Sequence, residues 1–485
     1  MDEQRVQAYL SLIQELLACP RGDVNPILKR EREKIDAGFL QQCVLVAEQL
    51  QAAGQKNQAA FLLNLAQQVG AFLARQGTGG NQQAALGQFW GEVLGAENEG
   101  GAAAVHQVMQ ENMGLIVPAL GDIIARSVQA VLAQHADQAE PLAALIEDTC
   151  NSIQQFPYGR YGEALEIAIR GYGVVLALRA DNPEKRAQTL TILGNARLTQ
   201  ANMGINPAAH LESAIAAYDE AAEILRRLGL DKNLSGTLNN LGLARLTQAE
   251  MGINPAAHLE SAIAAYDEAA EILRWLGLDK DLSGTLTNLG FARSTQAIMG
   301  INPAAHLESA IAAYDEAAGI LRRLGLDKDL SQILNNLGLA RSTQAQIGID
   351  PAANLESAIA AYDEAAEILR RLGLDKNLSG TLNNLGLARL TQAEMGINPA
   401  AHLESAIAAY DEVAGIMRRL GLDKDLSQIL NILGSTRNTQ ANMGINPAAH
   451  LESAIAAYDE AAEIRRRLGL DKDLSGTLTN LGLAR

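Results

Sequence analysis

From residue 194 onward the chain restates itself. Glycines stand at 194, 242, 290, 338, 386, 434 and 482, each 48 residues after the last. A fixed period in the 20–50 range is the mark of a stacked repeat array, because one unit cannot bury its own apolar face and must lean on the next. The copies are close enough that residues 211–268 and 355–412 are identical. A chain built mostly from one copied unit points to an extended interaction surface rather than to a single constellation of unique residues.

One unit shows how the repeat is made. Residues 230–252 open at a capping-type Asp231 and close at Gly252, a residue suited to the left-handed position after a helix. That gives a first helix of about 20 residues, roughly 30 Å long. Residues 253–277 offer Asn254 as a cap and Pro255 at the first helical position, and stop at Gly277. Between them Leu259, Ala262, Ile263, Tyr266, Ala269, Ala270 and Leu273 fall at the spacing of one buried stripe. The expected fold class is all-α, an α-solenoid of antiparallel helix hairpins preceded by an irregular helical region.

Composition narrows the function classes. Only 4% of residues are aromatic against 48% hydrophobic, an Ala/Leu balance that suits close helix stacking. The formal net charge of −17, with no long run of Lys or Arg, argues against a nucleic-acid partner. The N-terminus is acidic where a secretory signal would be basic, and the most apolar stretch, 114–132, carries Asp122 and Arg126. No membrane span is expected, and the expected location is the cytoplasm. Cys19, Cys43 and Cys150 form neither a disulfide framework nor a metal signature and read as buried thiols.

Three ladders run through the array. Arginines at 197, 245, 293, 341, 389, 437 and 485 follow the inward stripe, so each is expected to lay its stem on the core and pair with an acid such as Asp267 or Glu268; an anion-binding row is the alternative. Histidines at 210, 258, 306, 402 and 450, with Asn354 replacing one, would lie at least ~8–10 Å apart in stacked hairpins, while zinc holds imidazole nitrogens at ~2 Å. They cannot share a metal. The Tyr-Asp-Glu triplets beginning at Tyr218, Tyr266, Tyr314, Tyr362, Tyr410 and Tyr458 read as a core aromatic followed by a solvated acidic face. The chain has no phosphate loop, HExxH or GxSxG, and Cys150 with His135 makes no credible dyad. A non-enzymatic chain with no cofactor is expected.

Leu238, Leu241 and Gly242, then Ala262, Tyr266 and Ala269, resemble the tetratricopeptide (TPR) pattern of paired helices with small residues at the crossings, over roughly residues 160–485. The family unit is 34 residues, and the arginine ladder stands where the family has an aromatic. The resemblance implies a peptide or partner protein held in a concave groove. Residues 5–14, 36–39, 153–157 and 165–172 resemble the start of cyanobacterial TPR proteins, many of which end in a caspase-like CHAT domain. By that resemblance the alternative function is the sensor part of a protease whose catalytic domain is absent from this chain. The expected division is a helical region over 1–155, with helices at 5–19, 38–53, 57–75, 82–94, 103–113 and 116–135 punctuated by glycines at 77–80 and 95–101, then the array over 156–485. The last repeat is incomplete, and Leu478, Leu481 and Leu483 would leave an apolar half-helix, from which self-association is a third expectation.

Comparing the copies locates a candidate surface. Counted from the repeat glycine, first-helix differences fall mainly at −6, −3, +1, +4 and +8, offsets that advance by 3 and 4 and share one helical face. The candidate partner-binding residues are Asn239, Leu243 and Leu246; Thr287, Phe291 and Ser294; Asn335, Leu339 and Ser342; and Asn383, Leu387 and Leu390. Neutral drift on an exposed stripe is the alternative. Thr247, Thr295, Thr343, Thr391 and Thr439 sit unchanged at the stripe's edge, where bonding back to the preceding turn is expected.

Overall fold

Helix follows helix wherever the computed structural model describes the chain, which is over residues 3–19, 24–31, 34–76, 79–204, 206–444 and 446–485. There is no strand among the described residues. Two compact units, 1–244 and 245–485, are each described by themselves.

In the first unit, α1 (Glu3–Ala18), α2 (Val24–Arg30), α3 (Ala37–Ala52) and α4 (Lys56–Gln76) gather around Tyr9, Ile13, Phe39, Cys43 and Leu62. Asp36 caps α3 by accepting from the Phe39 amide, and the same carboxylate takes hydrogen bonds from Arg5 and the Tyr9 hydroxyl, which ties α1 to α3. Next come α5 (Gly79–Glu111), α6 (Leu120–Leu132), α7 (Ala139–Gln154) and α8 (Tyr161–Leu178), packed about Phe89, Trp90, Met109, Phe156 and Tyr172. Expected as two helices, 82–94 and 103–113 are joined in α5 with a kink at Gly101 (φ 59°, ψ −151°). Gly77 and Thr78 lie outside the described residues, while Gly79, Gly80, Gly95 and Gly100 are helical: glycine weakens a helix by about 1 kcal/mol without forbidding it. Helix α6 starts at Leu120 rather than 116, behind a 3-10 turn at Met113–Leu115. Cys43 and Cys150 are buried as expected; burial pushes the Cys43 thiol up to about 12 and raises Cys150 too, leaving both inert. Then α9 (Pro183–Asn202), α10 (Pro207–Leu228) and α11 (Asp231–Glu250) begin the array.

The second unit continues it with α12 (Pro255–Leu276), α13 (Asp279–Ile298), α14 (Pro303–Leu324), α15 (Asp327–Gln346), α16 (Pro351–Leu372), α17 (Asp375–Glu394), α18 (Pro399–Leu420), α19 (Asp423–Asn442), α20 (Pro447–Leu468) and α21 (Asp471–Ala484). Successive helices pack pairwise, α13 on α14, α15 on α16 and α19 on α20 most extensively, so the unit is a solenoid of TPR-like hairpins. Both helix ends close in the same way. Gly300 (φ 78°) and Gly325 (φ 67°) take left-handed backbone, and the amides of Ile301 and Leu326 reach back to the carbonyls of Gln296 and Leu321.

The capping expectations need two corrections. Asn254 and Asn302 make no side-chain cap; each sits at φ about 40° before its proline, so the residue type answers to left-handed backbone, which Asn and Asp tolerate best among side-chain-bearing residues. Asp231 is the first helical residue of α11, and the equivalent Asp279 follows Leu278 as N-cap, which places these carboxylates in the first turn against the helix dipole.

The Tyr-Asp-Glu triplet connects the layers. Tyr314 is 2% exposed and lies over Gly290, where a methyl would stand 2.6 Å from its ring. Asp315 accepts from Arg341 of the following first helix at 3.1 Å, and Glu316 pairs with Arg274 of the preceding second helix at 2.7 Å. The same links recur as Arg389 to Asp363 and Arg370 to Glu412. The aspartates thus pair with the arginine ladder as expected, and the reading of a solvated face is corrected at the glutamates: both acids, though partly exposed, are cross-links between hairpins, each contributing at most about 1 kcal/mol. In α21, Leu481 is buried beside Tyr458 rather than left exposed, whereas Leu478 and Leu483 are exposed.

Candidate partner-binding face

The first helices of neighbouring hairpins lie close to one another, α13 near α15 and α15 near α17. On each, leucines and alanines at −4, −1 and +2 point inward, exemplified by Leu286, Leu289 and Ala292, all under 3% exposed. The opposite side of the same helix must then face outward. Phe291, Leu339 and Leu387 are 44%, 51% and 50% exposed. Thr287, Asn335, Asn383, Ser294, Ser342 and Leu390 flank them half-buried, and Ile298 at the end of α13 is 72% exposed. The offsets taken from internal variation thus meet on one face of α13, α15 and α17.

Leu246 does not join them. It is 5% exposed and belongs to the hydrophobic core, because a leucine at +4 can turn into the interface between hairpins. Asn239, half-buried, and Leu243, 38% exposed, lie in the first unit.

The polar groups on this face are partly committed. Thr295, Thr343 and Thr391 each donate to the carbonyl four residues back, as expected. Asn384 donates to Asn335 at 3.2 Å, and Asn480 to Asn431 at 3.4 Å, so amides link α17 to α15 and α21 to α19. Sequence comparison singled out the acceptor Asn335 but not its donor, since Asn240, Asn288, Asn336 and Asn384 agree at their shared offset, although Ile432 departs from it. Beneath these amides, burial pushes Tyr314 and Tyr362 up to about 12, and Ser294 and Ser342 beside their hydroxyls oppose the shift.

The arginine ladder is satisfied internally. Arg293 meets both oxygens of Asp267 at 2.8 and 2.9 Å, and Arg437 does the same with Asp411 at 2.9 Å. Nor do the histidines gather: His402 sits beside Arg389, and burial followed by that charge lowers its pKa. No group of three or more His, Cys, Asp or Glu among the described residues stands as a metal site. A separate cleft of about 530 Å³ opens along α5, lined by Glu92, Glu99, Gln107 and Glu111. No helix among the described residues is long and apolar enough to cross a membrane.

No protein-family model and no curated protein matches the chain. Solved structures that resemble it are helical-repeat proteins. BtubC (BKLC) from P. vanneervenii is 21% identical with a TM-score of 0.38, over 53% of this chain and 92% of that one. Aspartyl phosphate phosphatase F from Bacillus subtilis is 12% identical with a TM-score of 0.38, over 89% and 94%. The apo quorum sensor NprR from B. thuringiensis is 13% identical with a TM-score of 0.33, over 82% and 97%. The assignment of a TPR-like solenoid rests on the chain's own period and helix pairing.

Proposed function

We propose that the array is a non-enzymatic scaffold whose first-helix face holds an extended peptide or a partner helix. One observation carries this reading. At one offset on the first helices of three successive hairpins a large apolar side chain is left 44–51% exposed, framed by amides and hydroxyls. Exposed apolar surface costs about 25 cal/mol per Å² until something covers it, and a row of such anchors edged by polar groups is the usual anatomy of a recognition site. A partner segment would set apolar side chains against Phe291, Leu339 and Leu387 while its backbone meets the Asn and Thr row. The net charge of −17 keeps nucleic acid out of this reading.

Residues 1–155 form a separate helical region in this proposal and 156–485 the array. The protease-sensor reading rests on the N-terminal resemblance alone and assigns chemistry to no residue here. Affinity capture from the native extract tests the scaffold: Phe291→Ala with Leu339→Ser is expected to lose the captured partner while helical circular dichroism stays unchanged. Equal recovery by variant and wild type overturns it.

A further inference from the structure

A second apolar surface lies along the turns that join first to second helices. Met251, Met299, Ile347, Met395 and Met443 follow the last residues of α11, α13, α15, α17 and α19, all five lie in the second unit, and they are 43–46% exposed. After Met299 come exposed Gly300, half-buried Ile301, exposed Asn302 and, past Pro303, two exposed alanines, and the turns after Met251, Ile347 and Met395 repeat this. Backbone amides already close each helix end, so the cap does not require the methionine side chain. From the methionine or isoleucine to the second alanine, the five turns contain one ionisable side chain, Asp350. The turns at the other end of the hairpins are the reverse, with Arg322, Arg323, Asp327, Lys328 and Asp329 around a single turn.

We propose that this neutral edge packs against the same edge of a second copy of the chain. A surface that recurs once per hairpin is matched best by one with the same period, and a two-fold arrangement sets turn against turn along the row. Charge favours this edge over the others: two chains of net charge −17 repel, and the turns themselves carry one carboxylate, Asp350, with exposed Glu250 and Glu394 just outside them. Size fits as well, since the four turns that a register displaced by one hairpin pairs, at about six contacting residues each, give roughly 24, within the 20–30 residues a standard interface uses on each side. A lipid surface fits less well, because these turns offer neither a Lys or Arg for headgroups nor an aromatic anchor. Centring the two-fold on the middle turn would bring two Asp350 side chains together, so the register is displaced by one hairpin and sets Asp350 opposite an asparagine.

Sedimentation velocity of the full chain over a range of concentrations tests the pairing. The wild type is expected to rise from 51.5 kDa to twice that mass. Met299→Glu with Met395→Glu, or Ala304→Glu with Ala400→Glu, is expected to remain at one chain mass. Ala312→Glu with Ala408→Glu adds the same charge to an exposed face of the second helices and is expected to dimerise as wild type does. Phe291→Ala with Leu339→Ser is also expected to dimerise, which separates this edge from the partner-binding face. A wild type that stays monomeric, or methionine-edge variants that dimerise unchanged, overturns the proposal. So does wild-type flotation with phosphatidylcholine vesicles that the Met→Glu variant loses, which would give the edge to a membrane.

Discussion

Two glycines in one helix are expected to respond oppositely to the same methyl group. In α13, Gly284 is exposed with nothing within 4 Å of an added Cβ, whereas at Gly290 that atom would stand 2.6, 2.8 and 2.9 Å from three carbons of the Tyr314 ring. Gly284→Ala removes backbone freedom from the unfolded chain without a clash and should stabilise by about 0.5–1 kcal/mol. Gly290→Ala gains the same term but must displace a ring that is 2% exposed and closely packed. Overpacking of this kind costs about 1–3 kcal/mol, so the net effect is a loss of roughly 0.5–2 kcal/mol. A repeat array need not unfold in one step, so the readout should be local: hydrogen exchange of the α13 and α14 amides, alongside the denaturation midpoint. The rings at Gly338, Gly386 and Gly434 would meet an added methyl at 2.6–2.8 Å, so the penalty should recur there. If Gly290→Ala proves as stabilising as Gly284→Ala, the glycine–tyrosine contact does not hold the hairpin closed.

Arg465 occupies the position of Leu321 and Leu369 in earlier copies; it is 6% exposed, bonded to Ser427, Thr477 and the Asp473 carbonyl, and burial lowers its pKa. Arg465→Leu is expected to stabilise α20 and α21 by about 1–2 kcal/mol, visible as slower hydrogen exchange there, because an apolar side chain avoids the desolvation of a buried charge. His402 has a folded-state pKa below its unfolded value, so it favours the neutral form; its contribution is flat above about pH 6.5 and stability falls as the pH drops below that. His402→Asn, which copies the natural Asn354, should flatten part of that fall in midpoints measured between neutral and mildly acidic pH. A double-mutant cycle on Arg389 and Asp363, which lie 2.8 Å apart but partly exposed, should give a coupling of about 0.5 kcal/mol that shrinks with added salt.

The period alone made the array legible, since glycine, proline and the apolar stripe all agree on where each helix begins and ends. Asn254 misled because its residue type serves two physical ends: a side-chain cap and a left-handed backbone favour the same side chain, and only the dihedral tells them apart. The ladder arginine's pairing with the acid after the tyrosine was legible, but Glu316 read as solvated because a single hairpin cannot reveal that Arg274 reaches it from the neighbour before. Residues 79–111 show the weakness of glycine as punctuation, for only Gly101 breaks the helical dihedrals there. On the candidate face, variation between copies picked out Phe291, Leu339, Leu387 and Asn335 but not the Asn384 that bonds to Asn335, and it could not tell that Leu246 turns inward.

Site-specific photocrosslinking addresses the partner-binding face most directly. A benzophenone side chain placed in turn at Phe291, Leu339 and Leu387 of the full chain, and at exposed Ala312 on a second helix, would be activated in the native extract and the adducts sequenced. The expected result is one partner segment, crosslinked at successive residues from the three first-helix positions and not from Ala312. Adducts equally frequent from Ala312, or scattered over unrelated proteins, would contradict a dedicated binding face.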